Sequence, residues 1–539
     1  MDIAINNVFI PDFRKRKFLK TSVGIKNGVI SQISEDNIDA EIMVDGTDKY
    51  LTPGLIDCHC HIESSYLLPS LFGNVIANCG TLHCVADCHE IANVAGRKGL
   101  QFFMENAVSS SINIKFSVPS CVPATSFATS GGSIGLDDIQ YFLECEEVVA
   151  LGELMNIPAV ISQDKKTMKM ISLAKKKKKR VNGHAPDLSG EDLKRYITAG
   201  VDDDHESETY QELKEKLDAG LNVFLREGSA EKTEKEAYKI IEEYPDNVMF
   251  CTDDKSINDI FESGHINFHL RKAVKAGVSP ILALKAASYN GLNYYGLNEY
   301  SEVKTGNKAS LVLFNDLKSF NIEKIILDGR FHKYKYHKPL IADFLKHSLN
   351  IKTISQIPDI PDNIKGICIY VKDGSLITEK IRANKDTPEY YTKEDILKLV
   401  VFERYGHGYS SAARIKGFGL KRGAIASSLS HDCHNIIAVG ADDTQIKRAI
   451  NVIIDCDGGI AVIDGSEIYA IPLHVGGIVS DENPLIFAKK LEEARKKARN
   501  LGCAFNDPMG TLSFMALEVI PHLKLTDRGL FDVDSFTYI

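Results

Sequence analysis

The chain lacks the surplus of basic residues that a nucleic-acid binder needs: its formal net charge is −9, and phosphate contacts demand a positive surface. It has no apolar run long enough to cross a bilayer. Met1-Asp-Ile-Ala is not the basic-then-apolar opening of a secretory segment, so a cytoplasmic location is expected. None of the 12 cysteines forms a Cys-x-x-Cys pair. That argues against zinc ribbons, and it excludes the deaminases that combine His-x-Glu with Pro-Cys-x-x-Cys, for which His61-Ile-Glu63 has no partner motif. Scattered cysteines in a chain this long suit a reducing compartment rather than a disulfide framework.

What is present is a globular chain of 539 residues, 44% apolar and 25% charged, long enough for two or three domains. Ile3 to Ile10, Lys20 to Ile25 and Val29 to Ile33 read as short strands, with Asn27-Gly28 as a hairpin turn. Ala309 to Phe314 and Ile325 to Gly329 have the same texture, so one small β-domain from both flanks, 1–52 plus 301–344, is predicted. Between them, 53–300 alternates strand and helix. Strand candidates end near His61, Asp87, Pro119, Glu153, His184, His205, Arg226 and Asp253, the count and length of a (β/α)8 TIM-type barrel. Lys175 to Arg180 is a solvated, basic helix end before the fifth strand. Residues 345–362 read as a linker, and 363–539 as a separate C-terminal α+β domain.

The polar motifs fall at the C-terminal ends of the barrel strands, where such folds build active sites. Period-two alternation puts His59 and His61 on one face of the first strand and Cys58 and Cys60 on the other. Glu153, His184, His205 and Asp253 follow at later strand ends, with Asp254 the alternative to Asp253. Four imidazoles and two carboxylates suit two divalent metal ions with a carboxylate between them, able to present water as hydroxide near neutral pH. Ligand type alone leaves zinc, iron and manganese open.

These residues carry a resemblance. Pro53-Gly-Leu-Ile-Asp-Cys-His-Cys-His-Ile-Glu-Ser-Ser65, with His, His and Asp at later strand ends, resembles the amidohydrolase superfamily of metal-dependent hydrolases. Val85-Ala-Asp-Cys-His-Glu-Ile91, Gly152-Glu-Leu-Met-Asn156, Ser430-His-Asp-Cys-His-Asn435 and Leu523-Lys-Leu-Thr-Asp-Arg-Gly-Leu530 narrow the likeness to the bacterial adenine deaminases, over nearly the whole chain. The resemblance implies manganese or iron. It also implies a plain Glu153 bridge where many relatives use a carboxylated lysine. Free adenine and water are the expected substrates, and the chain is expected to form a homo-oligomer, a dimer or larger.

The reaction so implied replaces the 6-amino group of adenine by oxygen, in purine salvage or catabolism. Asp253 would shuttle the water proton and Glu90 the purine ring protons. Arg226 and Ser229 are candidates for the purine edge; capping a helix near Glu231 is the competing role for Ser229. His434, with His431 and Asp432, would belong to a loop covering the barrel mouth and excluding water. Asp87 and His89 are assigned hydrogen-bonding roles, with an extra metal site as the alternative. A cyclic amidase of the hydantoinase or dihydroorotase type would use the same ligands, and a non-catalytic barrel would be expected to have lost some of them.

Overall fold

The computed structural model describes residues 1–539. It opens with β1 (Ile3–Asp12), β2 (Lys17–Lys26), β3 (Val29–Ser34), β4 (Ile42–Asp45) and β5 (Tyr50–Pro53). The β2–β3 turn is Asn27-Gly28, with φ of 52° and 77°. Two positive φ angles in a two-residue loop match the right-handed twist of the flanking strands, which is why Asn-Gly stands there.

Eight parallel strands follow: β6 (Leu55–Cys60), β7 (Thr81–Asp87), β8 (Asn113–Val118), β9 (Val148–Leu154), β10 (Arg180–Gly183), β11 (Asp203–Asp204), β12 (Asn222–Arg226) and β13 (Val248–Cys251). They pair in sequence order as a group of five and a group of three. The Asp202 N–H bonds the Val181 carbonyl at 2.9 Å across one seam, and a parallel bridge joins Cys60 to Asp253 across the other. This curled parallel sheet fits a TIM-type barrel. Helices follow the strands, beginning with α1 (Pro69–Ala77) and α2 (His89–Ala107), the latter broken at Gly96.

The period-two expectation fails for the cysteines of β6. Cys58 packs inside the sheet with Ile56, Val85, Ala150, Phe224 and Met249, whereas Cys60 joins Leu55, Leu82 and Cys84 on the helix side. The cause is an irregularity in the β6–β7 register between Asp57 and Cys60, which resets the alternation just before the histidines. All 12 cysteines are free thiols.

β14 (Leu311–Phe314), β15 (Ile322–Leu327) and β16 (Arg330–Phe331) then return to the first sheet, in the order β16-β15-β14-β5-β1-β2-β3 with β4 beside β1. That sheet closes over its own core of 14 buried residues. Residues 332–366 carry no regular element except a short turn at Asp343–Leu345.

The remainder forms a second eight-stranded sheet: β17 (Ile367–Val371), β18 (Thr378–Arg382), β19 (Ile396–Phe402), β20 (Ser410–Lys416), β21 (Ala424–Ser427), β22 (Ile436–Gly440), β23 (Gly459–Asp464) and β24 (Glu467–Pro472). Helices Asp443–Asp455 and Pro484–Asn500 pack on it, and a small sheet of β25 (Leu523–Thr526), β26 (Gly529–Asp532) and β27 (Thr537–Tyr538) ends the chain. In packing this unit is not separate. One cluster of 123 buried residues runs from the barrel helices into the C-terminal sheet.

Candidate active site

The parallel strands deliver their polar residues to one rim. His59 and His61 come from the end of β6, Glu153 from β9, and His184 and His205 directly follow β10 and β11. Asp253 lies two residues beyond β13 with φ of 56°, a left-handed conformation unusual for a residue with a Cβ.

The ring nitrogens Nε2 of His59 and His61 stand 3.2 Å apart. His61 Nδ1 donates to the Asp87 carbonyl at 2.8 Å, so the neutral ring presents its Nε2 lone pair towards His59. Asp253 Oδ1 is 3.0 Å from His61 Nε2 and 3.5 Å from His59 Nε2. Glu153 divides its oxygens. Oε1 lies 3.5 Å from His61 Nε2, while Oε2 lies 2.9 Å from His184 Nδ1 and 3.3 Å from His205 Nε2. The donor atoms of His59, His61 and Asp253 all fall within 4.8 Å of one another, as do those of His59, Glu153 and His205. Lone pairs pointed at each other are stabilised by a cation between them. Nitrogen and carboxylate donors in this buried arrangement therefore fit divalent metal binding.

Burial works against charge on His205, but Glu153 and Glu206 overcome it and hold the imidazole well above its usual range. Burial likewise raises Glu153, and hydrogen bonds from His184 and His205 more than offset that, holding the carboxyl well below its usual range. Arg226 Nη1 bonds Asp253 Oδ2 at 3.0 Å and also meets Glu206, while Nη2 meets Glu231 at 2.8 Å. Asp57 sits behind the rim. It accepts N–H bonds from Thr252 at 3.0 Å and His59 at 3.3 Å, tying the bases of Asp253 and His59 together, and burial pushes it up to about 7. Asp204 does the same for the fifth and sixth strands, accepting from Ala185 N–H and pairing with Lys216 at 2.9 Å.

A cavity of about 190 Å³ opens over this rim. Its floor is polar. Leu376, Phe514, Leu517 and Ile520 of the C-terminal unit supply an apolar roof. Glu90, in the first turn of α2, lines one wall and is buried, not a surface carboxylate. His431 Nδ1 bonds its Oε1 and His434 Nε2 lies against its Oε2. A larger, polar cavity of about 530 Å³ lies alongside and shares Glu231, Asp253 and Asp254 with the first.

The structure thus gathers His59, His61, Glu153, His184, His205 and Asp253, and puts Glu90 on the same cavity. Asp253 rather than Asp254 faces the histidines; Asp254 takes the Ser64 hydroxyl. Three expectations need correcting. Arg226 lines the cavity but spends both Nη groups on Asp253, Glu206 and Glu231, leaving only its buried Nε–H unpaired and no two-pronged fork for a purine edge. Ser229 lies outside this cavity, on the wall of the larger one, and no helix begins at Glu231. Its oxygen accepts the Ser256 N–H at 2.8 Å, at the start of helix Ile257–Ser263. His434 stands behind Glu90 and does not line the cavity. Glu206, whose Oε1 is 3.3 Å from His205 Nε2, was passed over, and His89, given a hydrogen-bonding role with a metal site as the alternative, brings its Nδ1 to 3.6 Å from Glu153 Oε1. Both adjoin residues the motifs had already singled out, and nothing in the sequence says that neighbours on a bending strand end share a cavity.

Known proteins match this layout along the whole chain. Residues 50–331 match the amidohydrolase family, and residues 375–537 match the adenine deaminase C-terminal domain. An adenine deaminase of Methanosarcina barkeri is 37% identical over 549 aligned positions, covering 99% of this chain and 98% of that one. The chain belongs to the adenine deaminase family. Relatives of the same name from Sulfurovum sp. and Archaeoglobus fulgidus are 38% and 37% identical; the alignments cover 98% and 100% of this chain and 98% and 95% of theirs.

Proposed function

We propose that the protein hydrolyses adenine to hypoxanthine and ammonia at the rim of the parallel strands. The observation that carries this reading is the split of Glu153 between two sets of histidines, beneath a small cavity in a chain that resembles adenine deaminases end to end. In this reading His59, His61, Glu153, His184, His205 and Asp253 hold two divalent ions, manganese or iron, with zinc compatible. Such ions, when bound, lower the pKa of water and present it as hydroxide near neutral pH.

The chain's own groups do the rest. At about 190 Å³ the cavity is smaller than the roughly 300 Å³ at which pockets for drug-sized ligands begin, and so suits a bare planar base. Its apolar roof covers the ring faces and keeps bulk water out. Glu90 gives a proton to the ring nitrogen beside C6, which makes that carbon more electron-poor. Asp253, held by Arg226, takes the remaining proton of the attacking oxygen and passes it to the 6-amino group. The C6–O bond replaces the C6–N bond and ammonia leaves. One water proton ends on the ring and the other on ammonia.

The layout that goes with this reading is a flank β-domain of 1–52 plus 301–344, a barrel of 53–300, a linker of 345–362 and a C-terminal unit of 363–539. The working enzyme is a cytoplasmic homo-oligomer, dimer or larger. The 12 free thiols support a reducing compartment, and no helix is long and apolar enough to cross a membrane. The test is a panel of adenine, adenosine, cytosine and dihydroorotate with manganese-loaded protein, read out as ammonia released and, for dihydroorotate, as loss of the cyclic substrate. Ammonia from adenine alone is expected. Ring opening of dihydroorotate without ammonia from adenine would overturn the reading in favour of a cyclic amidase.

A further inference from the structure

The segment between β21 and β22 reaches out of the C-terminal sheet and ends against the first turn of α2. Its backbone is tied at several points. The His431 N–H bonds the Ser513 carbonyl at 2.9 Å, and Asn435 Nδ2 bonds the Thr129 carbonyl at 3.0 Å, across to the barrel side. The His431 ring stacks on Phe514 at 4.2 Å with 15° between the planes, which fixes the direction of its Nδ1. His431 and His434 then take one oxygen each of the same carboxylate, Glu90, and all three side chains are buried.

Glu90 is held from its own side as well. Glu63, two residues beyond His61, accepts the Ile91 N–H at 3.1 Å and so pins the helix turn that carries Glu90 to the strand that carries the paired histidines. The backbone of Glu90 is set by the barrel and its head group by the C-terminal unit. His89 Nε2, at 3.5 Å, and the Glu63 carboxyl are its other ionisable neighbours. Neither His431 nor His434 forms an ion pair with any of the six candidate metal-binding residues; both meet Glu90.

We propose that His431 and His434 are positioning residues for Glu90, and that the catalytic apparatus of the barrel is completed by the C-terminal unit. The proposal rests on the deaminase reading above. A buried carboxylate with no partner takes up a proton and rotates freely about its last torsion. Two imidazoles, one per oxygen, stop the rotation, and His431, bonded to Oε1, supplies the proton that Glu90 passes to the ring nitrogen beside C6. Glu90 is left as a carboxylate after that transfer and is reprotonated by the first proton lost from water, so the balance of adenine plus water to hypoxanthine plus ammonia is kept. Burial opposes charge on His431, and Glu90 outweighs it, holding the imidazole up to about 9, consistent with a proton resident on the pair.

The test is a double-mutant cycle on full-length, manganese-loaded protein with adenine. E90Q is expected to lower kcat by about 10²- to 10⁴-fold, the usual worth of a general acid or base. H431N is expected to lower kcat by roughly tenfold or more with KM and metal content unchanged. On the E90Q background H431N should cost nothing further, because its whole effect passes through Glu90. A merely structural histidine would lower metal content or melting temperature and would multiply with E90Q. Full kcat in H431N, or losses that multiply, would overturn the proposal. If H431N does not fold, H434Q takes its place in the same cycle with the same criteria. Wild-type protein that releases no ammonia from adenine would sink the deaminase reading instead, so the two failures are distinguishable.

Discussion

The molecule carries two eight-stranded sheets besides its parallel strands, and they have different relations to the site. The flank sheet encloses 14 buried residues of its own and contributes none of the rim side chains. The C-terminal sheet shares a 123-residue core with the barrel helices, roofs the cavity and sends His431 and His434 to Glu90. Equal size does not mean equal role. What separates the two sheets is how far the shared apolar interior, and with it the mechanical frame of the rim, runs through them: the flank sheet lends it Val312 and Phe314 of β14, the C-terminal sheet residues from nearly every strand.

The largest effect expected is from the rim itself. Stripping divalent metal with a chelator should abolish ammonia release and lower the melting temperature, because the clustered donors lose the ion that binds only the folded state; re-adding manganese should restore both. Next come paired truncations in the two sheets. Leu311→Ala in the flank sheet and Leu399→Ala in the C-terminal sheet both delete fully buried side chains, and each should cost about 2–5 kcal/mol of stability. Measured well below the melting temperature, Leu311→Ala should keep its kcat and Leu399→Ala should lose part of it. Equal kcat in the two would erase the distinction.

A third prediction concerns pH. Lys524, in β25, is fully buried with its ammonium on the Leu376 carbonyl at 2.8 Å, and burial pushes it down to about 7. Its folded value lies below its unfolded one, so the unfolded chain binds the extra proton between those values and stability rises with pH across that window. Heat denaturation from pH 7 to pH 10 should show this rise, on the order of a few kcal/mol for a fully buried group. Lys524→Met should flatten it, and a profile unchanged by the substitution would refute the assignment. The smallest effect belongs to the flank sheet. Lys49 and Glu323 form a part-exposed pair at 3.4 Å, and Lys49→Met should cost no more than about 1 kcal/mol and leave kcat alone.

Much of this was legible in the residues because strand ends announce themselves. A short apolar run that stops at a histidine or acid is visible without coordinates, and all eight strands end within a few residues of the positions read from the chain. The six rim residues followed from that. Parity along β6 was misread because the register slips between Asp57 and Cys60, and a slip of this kind leaves no mark in composition. Arg226 was visible as a cation but not as the partner of Asp253, since their contact depends on the spacing of two neighbouring strands. The bond between residues 431 and 90 spans 341 positions, and no motif reports which distant loop will meet which helix turn.

The continuous core has one more consequence. A roof anchored in the same interior as the wall beneath it cannot swing clear as a rigid flap without exposing that interior to water. Purine and ammonia therefore have to come and go sideways. The adjoining 530 Å³ chamber shares Glu231, Asp253 and Asp254 with the cavity and adds Asp259, Glu262, Asp373, Glu492 and Asp507 against only Lys232 and Arg495. Such a passage admits a neutral base and favours the exit of ammonium, while anything bearing a phosphate meets repulsion before it reaches the metal-binding rim.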